Sequence, residues 1–211
     1  MTIIAIDGPA GSGKSTLARG LAAELGLAYV NTGVTYRAVA AEALRRGVAP
    51  GDADGLAGLA RGLNLSVAGK PPQIHLDGRP PGEELVAARV EAIVSEVSRH
   101  PQVREALHEA QRMLAGAGAV VEGRDIGTVV FPEAELKILL EADPGERAAR
   151  RLAERQSGDP ALAEALERRD EMDARTSPLA PAPDAVVIDT TGRDIESVLA
   201  EAVALARRVL Q

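Results

Sequence analysis

One nine-residue stretch near the start of the chain constrains its fold more than any other. It fits the pattern G-x-x-x-x-G-K-[ST] and consists of Gly8, Pro9, Ala10, Gly11, Ser12, Gly13, Lys14, Ser15 and Thr16. An apolar β-branched run at 3–6 predicts a buried strand before it, and leucines four residues apart at 17–25 predict a helix after it. Strand, glycine loop and helix in this order form a cradle in which backbone N–H groups surround a phosphate. The pattern predicts that Lys14 reaches the β and γ phosphates of a nucleoside triphosphate and that the Ser15 hydroxyl binds Mg²⁺.

The composition is typical of a globular protein that is not embedded in a membrane. Of the 211 residues 45% are hydrophobic and 26% are charged. No apolar run approaches the ~20 residues of a membrane span, and no leader-like segment precedes the first strand, so we expect a cytoplasmic location. The chain has no cysteine, which excludes disulfides and thiolate metal sites. The three histidines, His75, His100 and His108, form no cluster in the sequence, and we expect them at the surface rather than as metal ligands.

The charge distribution argues against nucleic acid and in favour of small phosphorylated ligands. The net charge of −7 and the presence of only three aromatic residues exclude a basic, base-stacking surface. Lysine occurs only at 14, 70 and 137, so arginine supplies 21 of the 24 basic residues. Arginine binds phosphate with two parallel hydrogen bonds and keeps its charge, although a GC-rich genome would produce the same bias.

The alternation of strand and helix patterns predicts an α/β fold. Short apolar runs that read as strands occur at 3–6, 27–30, 119–122, 136–140 and 185–188. Helical patterns occur at 17–25, 34–46, 52–61, 101–115, 145–156, 161–173 and 195–209. The expected architecture is therefore a five-stranded parallel sheet with helices on both faces.

Two segments depart from this rhythm. Residues 63–67 and 73–77 alternate apolar and polar side chains around a Gly-Lys-Pro-Pro turn, which predicts a β-hairpin, and a helical pattern follows at 86–97. We interpret 63–98 as a small inserted lobe. Residues 144–183 are rich in arginine and end in a proline-rich stretch, which sets this segment apart from its neighbours. The core then consists of 1–62, 99–143 and 184–211.

Three loops fall where ligands bind in such a fold. The phosphate loop, 31–33 and 123–125 each follow a predicted strand, so they share the carboxyl edge of the sheet. A GTPase is excluded because no lysine is followed two residues later by aspartate, as a guanine-reading motif requires. Motor ATPases have longer chains and an acidic pair that is missing here. A small-molecule phosphotransferase remains.

Several stretches of the chain resemble the bacterial cytidylate (CMP) kinase family. They are 8–16, 31–37 (Asn-Thr-Gly-Val-Thr-Tyr-Arg), 122–132 (Glu-Gly-Arg-Asp-Ile-Gly-Thr-Val-Val-Phe-Pro), Arg169-Asp170 with Asp173, and 177–179. The resemblance spans nearly the whole chain, and the Gly-Arg-Asp run and the hairpin insertion are specific to the family. It implies a P-loop nucleoside monophosphate kinase-like three-layer fold, with 63–98 as the acceptor-binding lobe and 144–183 as the lid.

The resemblance also implies an acceptor site for CMP. Arg37, beside Tyr36, and Arg124 correspond to the arginines that hold the acceptor phosphate. Family positions that contact the base or the sugar fall on Ser95, Arg104, Asp125, Arg169 and Asp173. Thr32 stands where the family usually has serine, and it keeps the hydroxyl.

For the donor side, the resemblance implies ATP bound by 8–16 with Mg²⁺ at Ser15. The family's lid arginine follows the Asp173 position by three residues, whereas Arg175 follows it by two, so its assignment to that role is an expectation. Arg151 is a further candidate contact to ATP. The alternative for the arginines at 147, 150, 151 and 155 is a solvated helix face paired with Glu146 and Glu154. The implied catalytic set is Lys14, Arg37, Arg124 and Arg175.

The resulting hypothesis is transfer of the γ-phosphoryl group of ATP to CMP, and to dCMP, without a general base. Two alternatives stay open. One is a kinase for UMP, AMP or shikimate, and the other is a nucleotide sensor without catalysis. We expect a monomer, because no apolar stripe stands out in the sequence.

Overall fold

The computed structural model describes residues 1–154 and 181–210, without the side chains of 148 and 151–154. Its strands are β1 (Thr2–Asp7), β2 (Ala28–Asn31), β3 (Leu65–Ala68), β4 (Gln73–Leu76), β5 (Gly118–Gly123), β6 (Leu136–Glu141) and β7 (Val186–Asp189). Its helices are α1 (Lys14–Leu25), α2 (Thr32–Arg46), α3 (Ala53–Arg61), α4 (Ala88–Ser98), α5 (Pro101–Ala115), α6 (Pro144–Glu154) and α7 (Ile195–Val209). A 3₁₀ turn (Glu83–Val86) precedes α4, and a π turn (Ile126–Val130) follows β5. The predicted helix 161–173 and most of the predicted lid lie outside the described residues.

The sheet confirms the α/β prediction and contains two more strands than expected. Its strand order is β3-β4-β2-β5-β1-β6-β7. The five predicted strands, which are β2, β5, β1, β6 and β7, are parallel to one another. The hairpin adds two strands, because β4 pairs with β2 at Tyr29 and Gln73 while β3 runs antiparallel to β4. The five-stranded expectation is therefore two strands short. Alternation identifies a hairpin, but the docking of its edge onto another strand depends on tertiary contacts that no local pattern reports.

The core lies on both faces of the sheet. Successive side chains of β1 alternate between the faces: Ile4 and Ile6 pack with α1 and α7, and Ile3 packs on the other face with α5 and the π turn. A third cluster joins α2, α3, α4 and α5 beside the sheet. The carboxyl ends of β1, β2 and β5 are thereby fixed next to one another, and the loops that follow them meet at one edge.

Local capping signals in the sequence are confirmed. Asp52 caps α3 by accepting the N–H of Gly55 at 2.9 Å, and Pro101 opens α5 at its first turn. Gly26 and Gly47 end α1 and α2 in the left-handed conformation. Among the described residues no helix is both long and apolar enough to cross a membrane.

Candidate active site

The loop between β1 and α1 is built to receive an anion. Gly13 is the N-cap of α1 with φ of 91°, and it has no side chain to bond the N–H groups of the first turn. Those groups and the positive end of the helix can bind a phosphate. Gly11 has φ of 75°, and a Cβ there would lie 2.6 Å from the Arg147 carbonyl oxygen, so only glycine fits. Lys14 Nζ donates to the carbonyl of Pro9 across the loop at 2.7 Å.

A buried carboxylate at the end of β5 faces this loop. The Ser15 hydroxyl donates to Glu122 Oε2 at 3.0 Å, and the Tyr29 hydroxyl donates to Glu122 Oε1 at 2.6 Å. Burial and the nearby Glu122 charge raise the pKa of Tyr29, so its phenol stays protonated and acts as a donor. Glu122 is 3% exposed. Both of its oxygens are engaged, and one of them holds the hydroxyl at the start of α1.

Asp7, at the end of β1, organises the turn after β5. Its two carboxylate oxygens accept the N–H groups of Ile126 and Gly127, each at 2.8 Å. Asp125 occupies the N-cap position of this π turn but makes no capping bond with its side chain. Burial raises the pKa of Asp7, and the two N–H groups partly offset that rise. A carboxylate from another strand thus caps the turn and leaves the Asp125 side chain to other partners.

Asp125 uses that side chain to meet α5 and α2. Arg104 Nη2 on α5 donates to Asp125 Oδ2, and the Arg104 guanidinium lies 6.0 Å from the centre of the Tyr36 ring. Burial raises the pKa of Tyr36 to about 12, although the Arg104 charge acts in the opposite direction. Three elements therefore bring a guanidinium, a carboxylate and a phenol together, with about a quarter of the Arg104 and Asp125 side chains exposed.

A second arginine follows Tyr36 on α2. Arg37 Nε lies 2.6 Å from Glu91 Oε1 on α4, and the Glu91 side chain is only 2% exposed. Ser95, one helical turn after Glu91, is also buried. A Cβ on Gly33 would lie 3.1 Å from Arg37 Nη1, so the guanidinium reaches back over the turn that follows β2. The Thr32 hydroxyl in that turn donates to the Glu122 carbonyl at 2.8 Å, which ties α2 to β5.

Comparison with known proteins assigns the chain to a family. The sequence profile of the family described as Cytidylate kinase matches residues 4–208. The chain belongs to the cytidylate kinase family. A cytidylate kinase of Desulfitobacterium hafniense (strain Y51) is 45% identical over 206 residues, which are 93% of this chain and 88% of that protein. A cytidylate kinase of Pelotomaculum thermopropionicum is 46% identical over 207 residues, covering 93% of this chain and 92% of the relative.

Solved structures support the fold at a greater distance. A gluconokinase from Sinorhizobium meliloti 1021 superposes with a TM-score of 0.51 at 16% identity, covering 99% of this chain and 93% of that one. A sugar kinase from Janibacter sp. superposes with the same TM-score at 17% identity, covering 97% and 93%. At this level of identity, these likenesses show the fold alone.

The structure brings together part of the set that the family resemblance implies. Arg104, Asp125 and Tyr36 are in contact, and Arg124 follows Gly123 at the same strand end. Arg169, Asp173 and Arg175 lie outside the described residues, and the side chain of Arg151 is not described. The roles of all these residues in binding nucleotides stay predictions.

Two arginines of α6 form hydrogen bonds with other parts of the core. Arg147 Nη1 donates to the carbonyl of Ala10 in the phosphate loop at 3.4 Å. Arg150 Nη2 lies 2.9 Å from Glu146 Oε2, and Arg150 also donates to Thr190. The pairing of Arg150 with Glu146 is the one that the solvated-face alternative expects, while Arg147 connects the start of the lid segment to the phosphate loop.

An open cavity of about 1020 Å³ lies elsewhere, between α2, α3 and the hairpin. Arg45, Arg79 and Glu84 are among its lining residues, and no predicted site residue is among them. We therefore place the candidate active site at the carboxyl ends of the strands, where the charged and polar side chains meet, and not in this groove.

One expectation about histidine is wrong. His108 lies on the inner face of α5 and is 8% exposed, so it is buried rather than at the surface. A histidine on a helix is ambiguous in the sequence, and its burial follows from the packing of α5 against the sheet and α2.

Sequence reasoning also missed the roles of three acidic residues: Asp7, Glu91 and Glu122. Asp7 and Glu122 end apolar strands whose following loops were singled out, so their position at the carboxyl edge was an available signal. Glu91 interrupts the apolar pattern on the buried face of α4, and this interruption was a weaker signal.

Proposed function

We propose that this kinase transfers the γ-phosphoryl group of ATP to CMP, giving CDP and ADP, and that dCMP is a second acceptor. The observation that carries the proposal is the presence of two candidate binding sites at one edge of the sheet. A phosphate-binding loop follows β1, and an Arg104–Asp125–Tyr36 cluster sits beside the turn after β5. Membership of the cytidylate kinase family supports the identity of both substrates.

The ATP site is the loop 8–16. The N–H groups at the start of α1 bind the phosphates of ATP, and Lys14 leaves the Pro9 carbonyl to contact the β and γ phosphates. Removal of the Lys14 charge with an alanine substitution should lower turnover by orders of magnitude and leave the affinity for CMP nearly intact. Turnover that survives this substitution would place the donor site elsewhere.

The oxygen chemistry next to Ser15 fits Mg²⁺. The Ser15 hydroxyl and the Glu122 carboxylate are hard oxygen donors 3.0 Å apart, which suits this ion. The described part of the chain holds no group of three or more acidic or histidine side chains arranged for a metal, in keeping with an ion that takes its other ligands from ATP and water. Mg²⁺ there would neutralise charge on the transferring phosphoryl group. Ser15 would hold it, with Glu122 orienting the hydroxyl.

The acceptor site binds both the phosphate and the base of CMP. Arg37 and Arg124 bind its phosphate, which carries a charge of about −1.5 to −2 at neutral pH. Asp125 accepts the exocyclic amino group of cytosine, and Arg104 donates to the ring acceptors. Ser95, buried on α4, and Thr32 complete the pocket wall, and Tyr36 supports the Arg104 guanidinium through its ring face.

The transfer needs no general base. An oxygen of the CMP phosphate, already an anion at neutral pH, attacks the γ-phosphorus, and the bond from that phosphorus to the β–γ bridging oxygen breaks. The bridging oxygen keeps the electron pair and leaves with ADP. The protein's part is to align the two nucleotides and to surround the shared phosphoryl group with positive charge.

The remaining expected contacts complete the proposal. Arg169 and Asp173 contact the sugar of CMP, and Arg151 and Arg175 approach ATP when the segment 144–183 closes and excludes water. We propose a monomer acting in the cytoplasm, where ATP and CMP are available.

A coupled assay of ADP release tests the function. With ATP and Mg²⁺, CMP and dCMP should give the highest kcat/KM among CMP, dCMP, UMP, AMP and shikimate. A different preferred acceptor would reassign the substrate. Negligible ADP release with every acceptor would favour the nucleotide sensor.

A further inference from the structure

His108 is a buried group that the proposed mechanism does not use. It lies on α5 one turn after Arg104, and its Nε2 atom has no hydrogen-bond partner among the described residues. The carboxylate oxygen Asp125 Oδ2 lies 3.9 Å from this nitrogen. This distance is too long for a hydrogen bond. A buried, unpaired nitrogen beside a carboxylate of the acceptor site calls for a physical reason, because such atoms are costly to leave unpaired.

The ring is neutral at neutral pH. Burial is the largest effect and lowers the pKa of His108. The positive charges of Arg104 and Arg112 lower it further, and the negative charge of Asp125 opposes them. A neutral imidazole protonated at Nε2 is a hydrogen-bond donor that brings no charge into the site.

Arg104 and His108 both lie near the same carboxylate oxygen of Asp125. The two side chains are four residues apart on one face of α5, and both point to Asp125 Oδ2. Arg104 occupies that oxygen in this structure. A base that binds between Arg104 and Asp125 has to compete with their ion pair, and the carboxylate then needs a new partner to keep its orientation.

We propose that His108 is a positioning residue that supplies this partner. When the acceptor base engages Arg104, the Asp125 carboxylate moves by about 1 Å toward His108, and its Oδ2 accepts a hydrogen bond from Nε2–H. Helix α5 thus offers two hydrogen-bond donors to one carboxylate: Arg104, and His108 when a base engages Arg104. The inference rests on the proposed function, because it requires a base that contacts Asp125.

Two substitutions separate positioning from packing. His108→Leu fills the core and removes the donor, whereas His108→Gln keeps an N–H near the position of Nε2. We expect His108→Leu to raise the KM for CMP about tenfold, the effect of losing one hydrogen bond to a charged group. The KM for ATP should stay within twofold, and His108→Gln should return the KM for CMP to within threefold of the wild-type value.

A control and a double substitution complete the test. His100→Leu removes a histidine from the start of the same helix, where its ring contacts the Pro50 carbonyl, and should leave the KM for CMP within twofold. In an Asp125→Ala background, which removes the acceptor oxygen, His108→Leu should have no further effect on the KM for CMP.

The inference is overturned if His108→Leu leaves the KM for CMP unchanged, if it raises the KM for ATP equally, or if glutamine fails to rescue it while the Tm matches that of the wild type. Failure of the proposed function gives a different result, since the wild-type protein would then show no preference for CMP.

Discussion

The ion pair between Arg37 and Glu91 gives a direct test of the proposed role of Arg37 in binding the acceptor phosphate. Its Nε–Oε1 distance is 2.6 Å, and the side-chain exposures are 21% for Arg37 and 2% for Glu91. Because Glu91 binds Nε, the proposed contact with the acceptor phosphate would use the terminal nitrogens of the guanidinium. Substitution of Glu91 should therefore disturb both the packing of α4 against α2 and the orientation of Arg37.

The magnitude follows from the burial of the pair. Removing one partner of a fully buried ion pair costs about 3–5 kcal/mol, but water can reach the exposed part of Arg37. We therefore expect Glu91→Ala to lower the free energy of unfolding by about 2–3 kcal/mol. Glu91→Gln keeps an oxygen acceptor for the Nε–H group, so its cost should be about 1–2 kcal/mol. For a domain of this size the alanine variant should lose roughly 5–10 °C in Tm.

Urea unfolding and the coupled kinase assay measure the two consequences. Glu91→Gln should raise the KM for CMP about tenfold, or about 1.4 kcal/mol, and should change the KM for ATP much less. A matched control exists on the same helix. Glu96 forms a 3.4 Å pair with Arg99 that is exposed at both ends, so Glu96→Gln should cost less than about 0.5 kcal/mol. Equal effects of the two glutamine variants, or an unchanged KM for CMP in Glu91→Gln, would refute the reasoning.

Two further predictions concern buried acid–base groups. Asp7→Asn keeps one acceptor for the N–H groups of Ile126 and Gly127, and loss of the costly buried charge offsets part of the damage, so the net loss should be about 1 kcal/mol in urea unfolding. The same variant should raise the KM for CMP more than the KM for ATP, and the reverse order would show that Asp7 serves the phosphate loop. Because burial lowers the pKa of His108, the unfolded chain holds that proton more tightly than the folded one. The free energy of unfolding should therefore fall as the pH drops below about 6.5 toward the folded pKa, and His108→Leu should flatten that slope in urea titrations.

Local patterns predicted the elements of this fold well. The strand–loop–helix unit around 8–16, the N-cap at Asp52 and the first-turn proline of α5 depend on residues within a few positions of one another, and these three structural features are confirmed. The closing helix 195–209 is confirmed with the same bounds. Short-range steric and capping preferences suffice for such features.

Long-range contacts account for what the sequence did not reveal. Arg37 and Glu91 are 54 residues apart, and Asp7 and Ile126 are 119 apart, so no local spacing reports either pair. The pairing of β2 with β4, which widens the sheet, and the burial of His108 depend on the same kind of contact. The family resemblance predicts an acceptor site that includes Arg104, Arg124 and Asp125, and this assignment stays a prediction. The resemblance gave no indication of the residues that position these side chains.

The central claim is that the carboxylate of Asp125 reads the base of the acceptor. The most direct test is the ratio of kcat/KM for CMP to that for UMP, measured for the wild type and for Asp125→Asn. We predict a strong preference for CMP in the wild type and a loss of at least tenfold in that ratio in the variant, since one charged hydrogen bond contributes about 1.5–3 kcal/mol. A ratio that is the same in both proteins would contradict the account.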